Sequence, residues 1–210
     1  MEFDDVEVPI ANLLGRENHG FEIIMSSMNN EVVNLANGKT DCCNSDFNHE
    51  RLWLACTSLR LARCCAEDAY EYAMMRETFG KKLIDNQAIR SKISSFGRTI
   101  DSAYAWMEQL VYIIQSSSKT GASDPYVGGL MANLKILAAR TLEHVNRESQ
   151  QILGGAGYSK NGRGARIEQI SRDVRVMVVG GGSEEILMDL AVNQEQKALG
   201  KLPLARTQRL

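Results

Sequence analysis

The chain has 210 residues, 44% of them hydrophobic and 24% charged, with a formal net charge of −2. That balance describes a globular domain long enough to bury a real core, with neither the basic stripe of a nucleic-acid-binding protein nor an acidic tail. No apolar run reaches the roughly 18 residues of a membrane span, and Met1-Glu2-Phe3-Asp4-Asp5 lacks the basic and apolar regions of a secretory signal.

In chain order, residues 3–9 alternate as a short strand and stop at Pro9. A loop from Gly15 to Gly20 follows, and Phe21 to Met25 opens a helix whose pattern soon fails. Ser27 to Ser45 is Asn-rich, polar and aperiodic, which reads as an inserted loop. Three strong helical patterns come next. Leu52, Ala55, Cys56, Leu59, Ala62, Ala66, Ala69 and Ala73 recur at spacings of three and four, the mark of one buried face. Ile89, Ile93, Phe96, Ile100, Tyr104, Met107, Val111 and Ile114 repeat it, and Ser116 to Asp124 is a polar connection. Met131, Leu134, Ala138, Thr141 and Val145 form a heptad-like stripe that predicts packing at a shallow angle. A fourth, shorter helix ends near Arg175, and a fifth opens at Ser183. Long antiparallel helices with short joints predict a bundle.

The five cysteines, Cys42, Cys43, Cys56, Cys64 and Cys65, are odd in number and partly adjacent. That fits neither a disulfide framework nor a C-x-x-C zinc site and points to a reducing compartment. His19, His49 and His144 are too scattered for a metal cluster, so no metal is expected.

Val178-Val179-Gly180-Gly181-Gly182-Ser183-Glu184-Glu185 puts three glycines before a serine and two acids. It reads as a tight loop into a helix, with Ser183 as N-cap and both glutamates in the first turn, where the dipole favours acids. Exposed N–H groups at such an end suit an anion or a polar cofactor edge.

Three segments together carry a resemblance. Arg76-Glu-Thr-Phe79-Gly80-Lys-Lys-Leu83-Ile-Asp-Asn-Gln87, then Gln151-Ile-Leu-Gly154-Gly155-Ala-Gly157-Tyr158, and then Arg172-Asp173-Val-Arg175 running into the glycine loop match, in order and spacing, motifs of the acyl-CoA dehydrogenase family. The resemblance covers nearly the whole chain but only the C-terminal part of a family member. It implies an all-α fold, a C-terminal helical bundle preceded by a remnant β-strand. Residues 1–17 would end the middle β domain, and residues 18–210 would form the bundle with an inserted loop at 27–45.

The implied activity is FAD-dependent α,β-dehydrogenation of an acyl-CoA thioester, the α proton leaving to a base and the β hydride to the flavin. Arg76 would hold the FAD diphosphate of a neighbouring subunit in a homodimer or homotetramer, with Phe79 and Gln87 lining that site. A guanidinium suits bidentate phosphate contact. Gln151, Gly154 and Gly155 match the family's second contact with FAD, and Ser183 and Glu185 its contacts near the adenine end, Ser183 standing where threonine is more usual. An electron-transfer flavoprotein or oxygen would reoxidise the flavin.

One branch of the family carries its catalytic glutamate in the glycine loop, at the position matching Gly181. Glycine there rules that base out. The long-chain and isovaleryl branches place the glutamate on the long helix instead, and the matching segment is Asn48-His49-Glu50-Arg51. Glu50 is therefore the expected base, and Gly181 offers its backbone N–H to the thioester carbonyl. The chemistry needs both, because an α proton beside a thioester is weakly acidic and leaves only to a positioned carboxylate while the carbonyl oxygen is stabilised. Asn48 and Arg51 are candidates for the acyl-CoA pocket.

Reading Ile23-Ile24-Met25-Ser26 directly into Asp46-Phe47 restores a continuous family helix, so residues 27–45 are either a genuine loop or non-coding sequence carried into a gene model. Two further readings stand beside the dehydrogenase: an acyl-CoA oxidase or secondary-metabolite tailoring enzyme, and a non-catalytic bundle that assembles with relatives. Gln208-Arg209-Leu210 faintly resembles a peroxisomal address, leaving peroxisome and mitochondrion open.

Overall fold

The computed structural model describes residues 4–20, 46–116 and 125–200. The expected helix start at residues 21–25, the inserted loop at 27–45, the connection at 117–124 and the C-terminal tripeptide lie outside the described residues. The chain divides into two compact units, residues 1–47 and 48–210.

In the first unit, the strand expected over residues 3–9 is not formed. Residues 4–9 are exposed and belong to no strand, and a short 3-10 turn, Ile10–Asn12, follows them. Alternation makes a strand only where a neighbour takes up its N–H and C=O groups. Among the described residues the only strand ladder is a hairpin at 77–82.

The second unit is the expected helical bundle. Helices α1 (Asp46–Met75), α2 (Gln87–Ser116) and α3 (Pro125–Leu153) run nearly its full length, and α4 (Ala165–Val179) and α5 (Glu184–Leu199) pack along α3. Ala55, Ala62 and Ala69 recur every seven residues on α1 and are fully buried. They share core clusters with Leu134, Ala138, Leu142 and Val145 of α3, which are likewise buried. A seven-residue repeat keeps one seam facing its partner at a shallow crossing. The stripe from Met131 to Val145 is buried at every expected position. On α2 the seam is carried by Phe96, Ile100, Ala103 and Leu110. Each fully buried leucine or phenylalanine contributes about 1.5–3 kcal/mol.

α4 runs one turn past its expected end at Arg175 and stops at Gly180, whose ψ of 145° leaves the helical region. Between α1 and α2 lies a hairpin in which β1 (Glu77–Thr78) pairs antiparallel with β2 (Lys81–Lys82). Phe79 and Gly80 form its turn, at φ 53° and 76°. Two positive φ values define the mirror-type turn that matches strand twist.

Candidate active site

The glycine loop joins α4 to α5 beside the first turns of α1. Gly181 and Gly182 have φ of 69° and 114°, and a Cβ would meet Leu54 Cδ1 at 3.0 Å from the first and Leu187 Cδ2 at 3.0 Å from the second. The positive φ values strain any other residue here, and a Cβ would in addition press on the two leucine side chains. Two buried cations hold the loop from within. Arg51, 6% exposed, donates from Nε to the Gly181 carbonyl at 3.1 Å and from Nη1 to Asn48 Oδ1 at 3.0 Å. Lys135, 2% exposed, donates from Nζ to the carbonyls of Val178 at 2.5 Å and Gly182 at 2.9 Å. Burial lowers the pKa of both. The neighbouring Arg51 charge lowers that of Lys135 further, against the opposing pull of Glu184 and Glu50.

Glu50 stands on the solvent side of α1, one residue from Arg51. Its charge acts on both Arg51 and Lys135, which places it within electrostatic reach of the cations that hold the loop. Asn48 and Arg51, the expected candidates for an acyl-CoA pocket, are both buried, and the Arg51 hydrogen bonds run to the Gly181 carbonyl and to the Asn48 side chain. Lys135 is a member of the site that sequence reasoning misses. The one signal is a charged residue in the otherwise uncharged stretch from Tyr126 to Ala139.

Ser183 occupies the N-cap of α5, with Glu184 and Glu185 in the first turn as expected, but its hydroxyl makes no capping bond. It serves Glu185 instead. The Glu185 backbone N–H and the Ser183 hydroxyl both hold that exposed carboxylate below its usual range. Glu184 pairs through both oxygens with Arg140.

The remaining expected residues gather at the opposite end of the bundle. Arg76 and Phe79 follow α1, Gln87 opens α2, and Gln151, Gly154 and Gly155 close α3. One core cluster containing Ala73, Leu83, Ile84, Ile152, Leu153 and Ala156 ties these segments together. All six candidates are exposed, and no carboxylate pairs with Arg76 among the described residues. Phe79 is fully exposed, and positive φ on a bulky residue is a strained choice that points to function. Gly154, at φ 57°, is the left-handed residue that ends α3. Gly155 has no positive φ, and a Cβ added there would meet no atom within 4 Å, so nothing inside the chain requires glycine at that position. Gly157 and Gly164 differ, because a Cβ would meet Gln150 O at 2.9 Å and Ala156 O at 1.8 Å.

From Glu50 to Arg76 is 26 residues along α1, about 39 Å at the helical rise. The two groups of candidate residues thus lie at opposite ends of the bundle. Among the described residues no group of His, Cys, Asp and Glu could hold a metal, and no helix is long and apolar enough to cross a membrane.

A bundle of long helices with a glycine loop over one of them and an Arg-x-x-Phe-Gly hairpin at its far end defines the class, and residues 40–194 match the family model of the acyl-CoA dehydrogenase C-terminal domain. The chain belongs to the acyl-CoA dehydrogenase family. It is similar to the acyl-CoA dehydrogenase AFT10-1 of Alternaria alternata, 48% identical over 200 residues that are 95% of this chain and 42% of that protein. It is also similar to the acyl-CoA dehydrogenase apdG of Emericella nidulans, 35% identical over 96% of this chain and 43% of the relative. Among solved structures, a probable acyl-CoA dehydrogenase from Mycobacterium abscessus superposes with a TM-score of 0.70 at 29% identity, over 92% of this chain and 44% of the other. The butyryl-CoA dehydrogenase of Megasphaera elsdenii gives 0.67 at 26% identity, over 92% and 43%. The chain thus spans about two fifths of the length of these relatives.

Proposed function

We propose that the chain forms the base-bearing half of an FAD-dependent enzyme that dehydrogenates an acyl-CoA thioester between its α and β carbons. The observation that carries this reading is Glu50 on α1 beside a triple-glycine loop that cannot supply a carboxylate of its own. Family membership and the relatives named as acyl-CoA dehydrogenases support it. Glu50 takes the α proton onto a carboxylate oxygen. The loop amides, Gly181 first among them, donate to the carbonyl oxygen as negative charge gathers there, an effect that grows when water is excluded. Exposure of Glu50 in this chain fits a cleft completed by the portion of the relatives that it does not span.

The residues at the far end fit a flavin dinucleotide. Arg76 is exposed with no carboxylate partner among the described residues, Phe79 offers a whole aromatic face, and Gly155 leaves room for close approach by an outside group. Arg76 would hold the diphosphate, with Phe79, Gln87, Gln151 and Gly154 around it. The flavin, when bound, supplies the hydride acceptor. Because this end stands about 39 Å from Glu50 along the helix, it would serve the cofactor of a second subunit, making a dimer or a tetramer the working form. Ser183 and Glu185 would meet the adenine end of the cofactor.

A second reading is favoured by a solved structure titled FkbI for biosynthesis of a methoxymalonyl extender unit, similar at 26% identity with a TM-score of 0.55. By that reading the chain tailors acyl groups in secondary metabolism and passes electrons to oxygen. Anaerobic reduction by substrate followed by air separates the two, since fast oxygen-dependent turnover marks the oxidase. The main reading is tested by purifying the chain, measuring flavin content, and following bleaching of the flavin by acyl-CoA. A colourless protein that acyl-CoA leaves unchanged would support the non-catalytic assembly role instead.

A further inference from the structure

The two cations beneath the glycine loop exceed what packing requires. A buried lysine loses its hydration, and a helix position facing the core ordinarily takes an apolar residue. Lys135 is satisfied there by donating to two carbonyls four residues apart, Val178 and Gly182, the second on the loop and the first at the end of α4. Arg51 takes the carbonyl between them, that of Gly181. The cations come from different helices, α3 and α1, and converge on one turn.

A trans peptide is planar, so its N–H points opposite to its carbonyl, and the described residues contain no cis bond. Drawing the Gly181 carbonyl onto Arg51 therefore turns the Gly182 N–H away from it. Drawing the Gly182 carbonyl onto Lys135 turns the Ser183 N–H away likewise. The backbone that results, at φ 69° and 114°, is one that residues other than glycine rarely adopt.

We propose that Lys135 and Arg51 are positioning residues that clamp the loop by its carbonyls and so aim the amides of Gly182 and Ser183 at the carbonyl oxygen of the bound thioester. The identity of that oxygen rests on the reading given under Proposed function; the clamp itself does not. The Gly182 and Ser183 amides thereby join Gly181 as donors. Arg140, also on α3, offers a contrast, since its hydrogen bonds run to the Glu184 carboxylate in the first turn of α5 and not to a loop carbonyl.

The test pairs Lys135→Met, which fills the space without donating, with Arg140→Ala as control. Two measurements are made: amide resonances and hydrogen exchange of Gly181 to Ser183 in the flavin-free chain, and steady-state kinetics in the flavin-loaded protein. The clamp predicts that Lys135→Met moves the Gly182 and Ser183 resonances and speeds their exchange. It predicts that kcat falls about 10²-fold while KM changes little, the signature of donors displaced by roughly an ångström. Arg140→Ala leaves both unchanged. Unmoved amides in Lys135→Met, or a lowered melting temperature with kcat retained, overturn the proposal. Should that variant not fold, Arg51→Gln is measured in the same way for the Gly182 amide. Should the wild-type chain lack activity, the amide measurement alone decides the clamp, and the dehydrogenase reading is judged separately by flavin content and bleaching.

Discussion

Gly182 shows what one residue decides at this site. Its φ of 114° is open to glycine almost alone, and a methyl there meets Leu187 at 3.0 Å. Gly182→Ala is expected to cost about 1–3 kcal/mol, read as a shift in the denaturant midpoint with unchanged slope. Cys65 gives a pH-dependent prediction. Burial pushes its thiol from 9.0 up to about 11, with the Asn146 side chain opposing. A raised thiol pKa favours the protonated, folded form, so its contribution is whole below pH 9 and is lost as the pH climbs towards 11. The loss is on the order of 2–3 kcal/mol, measured as urea midpoints across that window, and Cys65→Ala flattens the slope. Much of this scale was legible in the sequence: Glu50, Arg76 and the glycine loop stand in motifs whose spacing survives without coordinates. Lys135 was not, because the carbonyls it meets lie 43 and 47 residues away, and a lysine amid apolar neighbours reads as one whose head reaches solvent. The buried placement of Asn48 and Arg51 was hidden for the same reason, since adjacency to Glu50 in sequence does not say which side of α1 each one takes.

At the scale of elements, the helices were legible because their period is local. Every expected α3 position is buried, and so is every alanine of the seven-residue repeat on α1. Boundaries were less so. α4 continues to Val179 because Val176 to Val179 disturb no helix, and glycine alone ends it. The strand over residues 3–9 failed because a strand is a property of a pair, and alternation says nothing about whether the second member is present. The turn between α3 and α4 is held by glycines of two kinds. Gly164 lies so near Ala156 that a Cβ would come within 1.8 Å of its carbonyl oxygen. Gly164→Ala must therefore move backbone, and a loss of about 3 kcal/mol or more is expected. Gly155→Ala, facing open space, is expected to leave the melting temperature unchanged while weakening flavin retention. Thermal unfolding of the two variants side by side checks the contrast.

For the molecule as a whole, the candidate residues fall into two groups at opposite ends of one helix. One holds a carboxylate and a clamped loop, the other an exposed guanidinium, an exposed phenyl ring and an uncrowded glycine. About 39 Å of α1 separates them, and the chain spans about two fifths of the curated relatives it matches. In the proposed enzyme neither half-site is complete within one copy, which the sequence could suggest only through the family it resembles. Arg76→Ala is expected to lower flavin content of the assembled protein at least tenfold, a loss of about 1.4 kcal/mol or more in binding, while leaving the helical circular dichroism unchanged. The central claim concerns Glu50, and exchange of the α proton tests it most directly because it isolates proton removal from hydride transfer. Flavin-loaded protein is mixed with acyl-CoA in deuterium oxide, and label at the α carbon is followed by mass spectrometry for wild type and Glu50→Gln. A general base contributes about 10²- to 10⁴-fold. The account predicts that exchange in Glu50→Gln falls by that factor with flavin content unchanged, and exchange at the wild-type rate would contradict it.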